Sequence, residues 1–194
     1  MKDITNNEVG FVLTILKNPE NEFNANNIAK HLKISSMGAL KIAKRLEKEN
    51  ILISKKLGKA RFYKINFNND YAKQYIKFLL KRESEQSPPY IKRWINELKK
   101  IKNSYSIILF GSVLKKQKEA GDIDALLLTD KKKFQNLKKE IEEINLINVK
   151  KIHPVYQTKE DLKENIKKQD KVILNAIKGI IVYGEDTIIS LLEK

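Results

Sequence analysis

The 194-residue sequence predicts a mixed α/β (α+β) fold in two domains, and three observations carry that expectation. Residues up to about Leu80 hold helical apolar repeats that give way to a basic hairpin containing glycine. Residues from Tyr90 onward alternate short apolar runs with amphipathic stretches, the pattern of strands covered by helices. Between these halves, Glu83-Ser-Glu-Gln-Ser-Pro-Pro89 is polar and ends in two prolines, which stop a helix and stiffen a connector. The expected division is a domain over residues 1–84, a linker over 85–89 and a domain over 90–194.

In the first half, Val9, Phe11, Val12, Ile15 and Leu16 give a helix from Glu8 to Leu16. Asn26 to Leu32 makes a second, short helix with Ile28, Ala29 and Leu32 inward. The turn at Lys33-Ile-Ser-Ser36 supplies a serine N-cap for a third helix over about Met37 to Glu49, whose buried stripe is Ala39, Ile42, Ala43 and Leu46. Asn50 stands where a left-handed residue is wanted after a helix, and Ile51-Leu-Ile53 begins a strand. Lys55-Lys-Leu-Gly-Lys-Ala-Arg61 reads as a basic hairpin and Phe62-Tyr-Lys-Ile65 as its returning strand. Tyr71, Tyr75, Ile76, Leu79 and Leu80 continue as a helix, a face suited to pairing two copies in a homodimer or to packing within one chain.

Three helices followed by a two-stranded basic wing resemble the winged helix-turn-helix domain, with a looser similarity to MarR-type regulators. The resemblance implies that the third helix enters the DNA major groove while the wing reaches phosphates or the minor groove. Ser36, Met37, Lys41, Lys44 and Arg45 lie off the buried stripe and are the groove candidates; Lys55, Lys56, Lys59 and Arg61 are the phosphate candidates.

In the second half, Tyr90 to Lys102 carries Ile91, Trp94, Ile95, Leu98 and Ile101 at the spacing of an amphipathic helix with Trp94 in the core. The apolar run Ile107-Ile-Leu-Phe-Gly-Ser112 is followed after nine residues by Asp122-Ile-Asp124 and Ala125-Leu-Leu-Leu128. Side chains alternate along a strand, so Asp122 and Asp124 share a face with Cα atoms roughly 6.5–7 Å apart. Two carboxylates so placed can hold divalent cations, and hard cations such as Mg2+ choose carboxylate and phosphate oxygens. Gly111 lets a phosphate approach the backbone, and Ser112 adds a hydroxyl donor at the start of the next helix. Gly-Ser alone is an ordinary turn and Asp-Ile-Asp alone an ordinary solvated strand start. The two at this spacing, each joined to an apolar strand, describe a pocket for a nucleoside triphosphate and its metal.

Further on, Lys131 to Ile144 is expected as a helix, Ile147 to Tyr156 as a strand near a sheet edge because of Pro154, Lys159 to Lys168 and Val172 to Lys178 as helices, and Ile180-Ile-Val-Tyr183 as a strand before a terminal helix.

Gly-Ser, a spacer and Asp-x-Asp in an apolar strand resemble the signature of the nucleotidyltransferase superfamily typified by DNA polymerase beta, in its minimal prokaryotic form, over about Lys92 to Tyr183. The resemblance implies a small mixed sheet flanked by helices, with Asp122 and Asp124 as catalytic metal ligands, Gly111 and Ser112 as nucleotide-binding residues, and Mg2+ or Mn2+ as cofactor. It implies transfer of a nucleoside monophosphate from an NTP, ATP being the expected donor, to a hydroxyl of an unknown acceptor. Active members place a third carboxylate on the strand after the Asp-x-Asp strand. Residues 147–156 contain no Asp or Glu; Lys150, Lys151 and His153 stand there instead. Three readings follow: the domain binds nucleotide without turnover, His153 or an acid such as Glu160 or Asp161 substitutes, or two carboxylates suffice. Minimal nucleotidyltransferases also resemble antitoxins of toxin–antitoxin pairs, so a transcriptional regulator or antitoxin-like protein is the alternative reading.

The net charge of +15 favours polyanionic partners, nucleic acid before membrane. The absence of cysteine excludes disulfides, thiolate zinc sites and thiol nucleophiles. Met-Lys-Asp-Ile-Thr-Asn-Asn-Glu lacks the apolar core of a signal peptide and no stretch approaches 18 apolar residues, so a cytoplasmic location is expected.

Overall fold

The computed structural model describes residues 4–193; the expected domain limits at Met1 and Lys194 lie outside the described residues. Contacts divide the chain into two compact units after Leu79.

The first unit begins with α1 (Asn6–Lys17), β1 (Phe23–Asn24), α2 (Ala25–Leu32) and α3 (Ser36–Lys48). It continues with β2 (Leu52–Leu57), β3 (Ala60–Ile65) and the start of α4 (Asp70–Glu85). Helix starts are fixed by side-chain oxygens that satisfy otherwise unpaired N–H groups. Thr5 caps α1, and the Asn24 side chain accepts from the Asn26 and Asn27 N–H groups at the head of α2, each at 3.0 Å. The serine that caps α3 is Ser35, whose Oγ accepts from the Gly38 N–H at 3.0 Å; Ser36 is already helical. Ala39, Ala43 and Leu46 are fully buried, while Ile42 is half-buried. Asn50 takes the left-handed conformation at φ 55°, as expected of a residue closing a helix.

The wing is tighter than the sequence suggests. Leu57 pairs with Ala60, so only Gly58 and Lys59 form the turn, and Gly58 supplies the required positive φ of 58°. Strand β1 went unforeseen: Phe23 and Asn24 pair with Tyr63 and Phe62, making a three-stranded antiparallel sheet in the order β1-β3-β2. Three helices and a wing make this a winged-helix-like region.

The second unit is built on a four-stranded mixed sheet in the order β6-β5-β4-β7. Its strands are β4 (Ser106–Phe110), β5 (Ile123–Leu128), β6 (Ile152–Gln157) and β7 (Ile180–Tyr183). Strand β4 runs antiparallel to β5 and β7, and β5 runs parallel to β6. One face buries Ile107, Leu109, Ile123, Ala125, Leu127, Ile152 and Val182 against α5 (Pro89–Leu98) and α7 (Phe134–Ile147). Trp94 of α5 is 1% exposed within that core. Toward the other face, α9 (Lys171–Ile177) and α10 (Glu185–Leu192) contact β4, and α8 (Lys159–Lys167) contacts β6.

Several expected boundaries shift. Helix α5 starts with Pro89 in its first turn, where proline's missing N–H costs nothing, and ends at Leu98 rather than Lys102. Helix α7 starts at Phe134, because the Asp130 carboxylate accepts from the Lys133 N–H at 2.9 Å and holds residues 131–133 as a turn. Strand β6 starts at Ile152 rather than Ile147, since α7 runs on to Ile147 and the Lys151 Nζ donates to the Asn148 carbonyl that follows it. Helix α6 (Val113–Lys116) has only four residues and ends where Gln117 turns to φ 47° into a short 3-10 segment (Gln117–Glu119). Pro154 lies on edge strand β6, as its missing N–H requires.

Candidate active site and nucleic-acid face

The β4–β5 pairing brings the two halves of the sequence motif together. Phe110 pairs with Asp124, so Gly111 leaves β4 beside the start of β5. Gly111 has φ 82°, and a Cβ there would meet the Asp124 Oδ2 at 1.9 Å. The absent side chain thus forms a cradle for the Asp124 carboxylate, and glycine is required both for the φ and for the space. Asp122 stands one residue before β5 and is exposed; Asp124 lies within it, half-buried. Ser112 precedes α6 and makes no side-chain cap hydrogen bond. With α6 so short, the helix dipole adds little at this point, and the phosphate-seating capacity expected of Gly111 and Ser112 falls to their backbone and the Ser112 hydroxyl.

The parallel β5–β6 register sets Asp124 opposite His153. Partners in register share a face of the sheet, and the His153 Nδ1 stands 3.1 Å from the Asp124 Oδ1. Asp122, Asp124 and His153 each offer a ligand atom within 4.8 Å of the other two. Two carboxylate oxygens and an imidazole nitrogen form a donor set suited to a divalent cation.

The acids that the sequence offers as substitutes do not reach this edge. Glu160 and Asp161 follow the C-terminal end of β6, and His153 to Gln157 alone spans about 13 Å at the rise of a strand. Asp161 is also engaged in the capping box of α8, where its N–H donates to the Thr158 Oγ1 at 3.0 Å. Asp130 lies beyond the C-terminal end of β5. A hydrogen bond from the Tyr105 hydroxyl holds its carboxyl below the usual range and raises the Tyr105 phenol in turn. Lys150 and Lys151 lie before β6 rather than in it. The Lys150 Nζ donates to the Ala120 carbonyl just upstream of Asp122, a loop contact with no local signal in the sequence.

In the first unit, Ser36, Met37, Lys41 and Lys44 are exposed on α3. Met37, Lys41 and Lys44 follow one another at helical spacing along one face, opposite Ala39, Ala43 and Leu46. Lys55, Lys56, Lys59 and Arg61 are exposed on the wing. The two arginines differ from the lysines in having acidic partners. Arg45 forms an ion pair with Glu8, a carboxylate only 2% exposed that also accepts from the Tyr75 hydroxyl at 2.6 Å. Arg61 donates to both Glu47 carboxylate oxygens, at 3.2 and 3.1 Å, and so ties the wing to α3. The roles of Glu8 and Glu47 are invisible in the sequence because their partners are 37 and 14 positions away.

No curated protein matches the chain. Among solved structures, the adhesin competence repressor AdcR from Streptococcus pyogenes is 18% identical, with 50% of this chain and 68% of that chain covered and a TM-score of 0.37. The homodimeric winged helix-turn-helix DNA-binding domain of Mb0332 from Mycobacterium bovis is 12% identical, covering 42% of this chain and 71% of its own, with a TM-score of 0.34. A variant of ZitR from Lactococcus lactis is 13% identical, covering 52% and 62%, with a TM-score of 0.34. Residues 92–179 match the family model described as polymerase beta, nucleotidyltransferase. That stretch holds Gly111, Ser112, Asp122, Asp124 and His153, and the second unit therefore carries a domain of the nucleotidyltransferase family.

Proposed function

We propose that this chain is a DNA-binding nucleotidyltransferase that moves a nucleoside monophosphate from an NTP, with ATP the expected donor, to an acceptor hydroxyl. The observation that carries the reading is the seating of the Asp124 carboxylate over Gly111, which joins the acidic and glycine halves of the motif at one sheet edge. Asp122 and Asp124 would hold Mg2+ or Mn2+, and the donor set fits such an ion. When bound, the ion supplies stabilisation of charge developing on the attacking and leaving oxygens.

The chain's own residues do the rest. Gly111 and Ser112 seat the β and γ phosphates and so point the α phosphorus at the acidic pair. The acceptor hydroxyl oxygen forms its bond to the α phosphorus as the bond to the bridging β-phosphate oxygen breaks. Pyrophosphate leaves, and the hydroxyl proton passes to solvent. Residues 1–84 supply DNA binding through Ser36, Met37, Lys41 and Lys44 in the groove, with Lys55, Lys56 and Lys59 on phosphate and Arg45 and Arg61 supporting helix and wing. Residues 90–194 perform the transfer, and 85–89 join the two.

The test is incubation of the full chain with ATP labelled at the α phosphorus, divalent metal and candidate protein, nucleic-acid and small-molecule acceptors. Label on an acceptor, lost in Asp122→Asn with Asp124→Asn, supports the enzyme. Binding of ATP with no label transfer under any acceptor contradicts it. One observation favours a second reading: the register that would carry a third carboxylate carries His153. On that reading the chain is a transcriptional regulator or antitoxin-like protein that binds nucleotide without turnover.

A further inference from the structure

We infer that His153 is a third metal ligand of this site and that it turns the site's choice away from Mg2+ toward a transition-metal dication such as Mn2+. The inference rests on the reading of Asp122 and Asp124 as the metal-holding pair and goes beyond it by naming the ion class and the residue that selects it.

Three structural features meet at His153. It is in register with Asp124 on the neighbouring parallel strand and on the same face. Its Nδ1 lies 3.1 Å from the Asp124 Oδ1, close to the spacing of about 3 Å that two adjacent donors keep around one octahedral ion with bonds near 2.1 Å. Its side chain is 67% exposed while that of Asp124 is 22% exposed, so the ring meets the carboxylate at the solvent-facing edge, where an ion and a triphosphate can enter. Backbone geometry holds it there. The residue before a proline is confined to extended conformations, and Pro154 follows directly.

The donor chemistry decides the ion. Mg2+ holds oxygen ligands and sheds water reluctantly, whereas an imidazole nitrogen suits later divalent ions of the first transition row. A neutral imidazole in place of a third carboxylate also lowers the negative charge of the donor set, which weakens the hold on a hard cation most. A histidine that only steadied Asp124 by a hydrogen bond would leave the ion choice unchanged, so metal preference separates ligand from support.

The full chain is titrated with Mn2+ and, separately, with Mg2+ by calorimetry. The Mn2+-loaded protein is then examined by electron spin echo envelope modulation, which registers a nitrogen bound directly to the ion. Wild-type protein is expected to bind Mn2+ with a nitrogen modulation. His153→Gln is expected to abolish the modulation and weaken Mn2+ binding at least about tenfold with little change for Mg2+. His153→Asp is expected to tighten Mg2+ binding relative to Mn2+. The exposure of His153 keeps these variants folded, which circular dichroism checks. If wild-type protein binds Mn2+ through Asp122 and Asp124 but shows no nitrogen modulation, or if His153→Gln binds Mn2+ as tightly as wild type, the inference is overturned while the acidic pair stands. If Mn2+ does not bind, or binds equally well after Asp122→Asn with Asp124→Asn, the reading of the site itself fails.

Discussion

At residue 111 the backbone requirement and the chemistry coincide, because the same missing Cβ permits φ 82° and seats Asp124. Gly111→Ala should therefore cost stability of about 1–3 kcal/mol from the left-handed conformation and displace the Asp124 carboxylate as well. The expected outcome is a lower unfolding midpoint in urea together with loss of divalent-metal binding. Asp122→Asn with Asp124→Asn should behave differently: both residues are at least partly solvent-facing, so metal binding goes and the unfolding midpoint stays. The two halves of this site were legible in the sequence because each is a local pattern, an apolar run ending in Gly-Ser and an apolar run opening with alternate acids. For the third position the sequence offers His153, Glu160 and Asp161 alike, and nothing local ranks them. The pairing of His153 with Asp124 spans 29 positions and depends on the register of two parallel strands, which no local periodicity records.

Helix α3 and the wing divide their basic residues between support and exposure. Arg45 compensates a buried carboxylate, so Arg45→Ala removes the cationic partner of Glu8 inside the first unit, leaving it the Tyr75 hydroxyl, and should destabilise that unit by about 3 kcal/mol, read by chemical denaturation. Lys41→Ala with Lys44→Ala removes exposed charge only. Stability should hold, DNA affinity should fall, and the dependence of log affinity on log salt should flatten by about one unit for each phosphate that is no longer neutralised. Unchanged DNA binding in the lysine variant would remove α3 from the interface. Sequence periodicity located α1, α2 and α3 because their buried stripes repeat every three or four residues. It overlooked β1, whose two residues are a strand only because β3 lies beside them. The helix after Gly111-Ser112 is short, ended after four residues by Gln117. Strand β6 starts later than its apolar residues suggest because Ile147 and Val149 mimic the start of an alternating strand while Ile147 completes α7.

For the molecule as a whole, a basic winged-helix-like unit and a nucleotidyltransferase-family unit occupy one chain, and no helix among the described residues is long and apolar enough to cross a membrane. Alkaline stability is set in part by the second unit. Burial pushes the Tyr183 phenol up to about 12, and its hydroxyl donates to the Ile101 carbonyl at 3.0 Å. A phenol whose folded pKa lies above its unfolded value of about 10 stabilises the fold fully below pH 10 and loses that contribution as pH rises toward 12. Thermal unfolding of the second unit should therefore drop between pH 10 and 12, and Tyr183→Phe should flatten the drop. The most direct measurement is diffraction from crystals of the full chain soaked with Mn2+ and a non-hydrolysable ATP analogue, collected at the manganese edge. An anomalous peak between the Asp122 and Asp124 carboxylates, with the triphosphate at Gly111 and Ser112, is the predicted result. A bound triphosphate with no manganese at those carboxylates would contradict it.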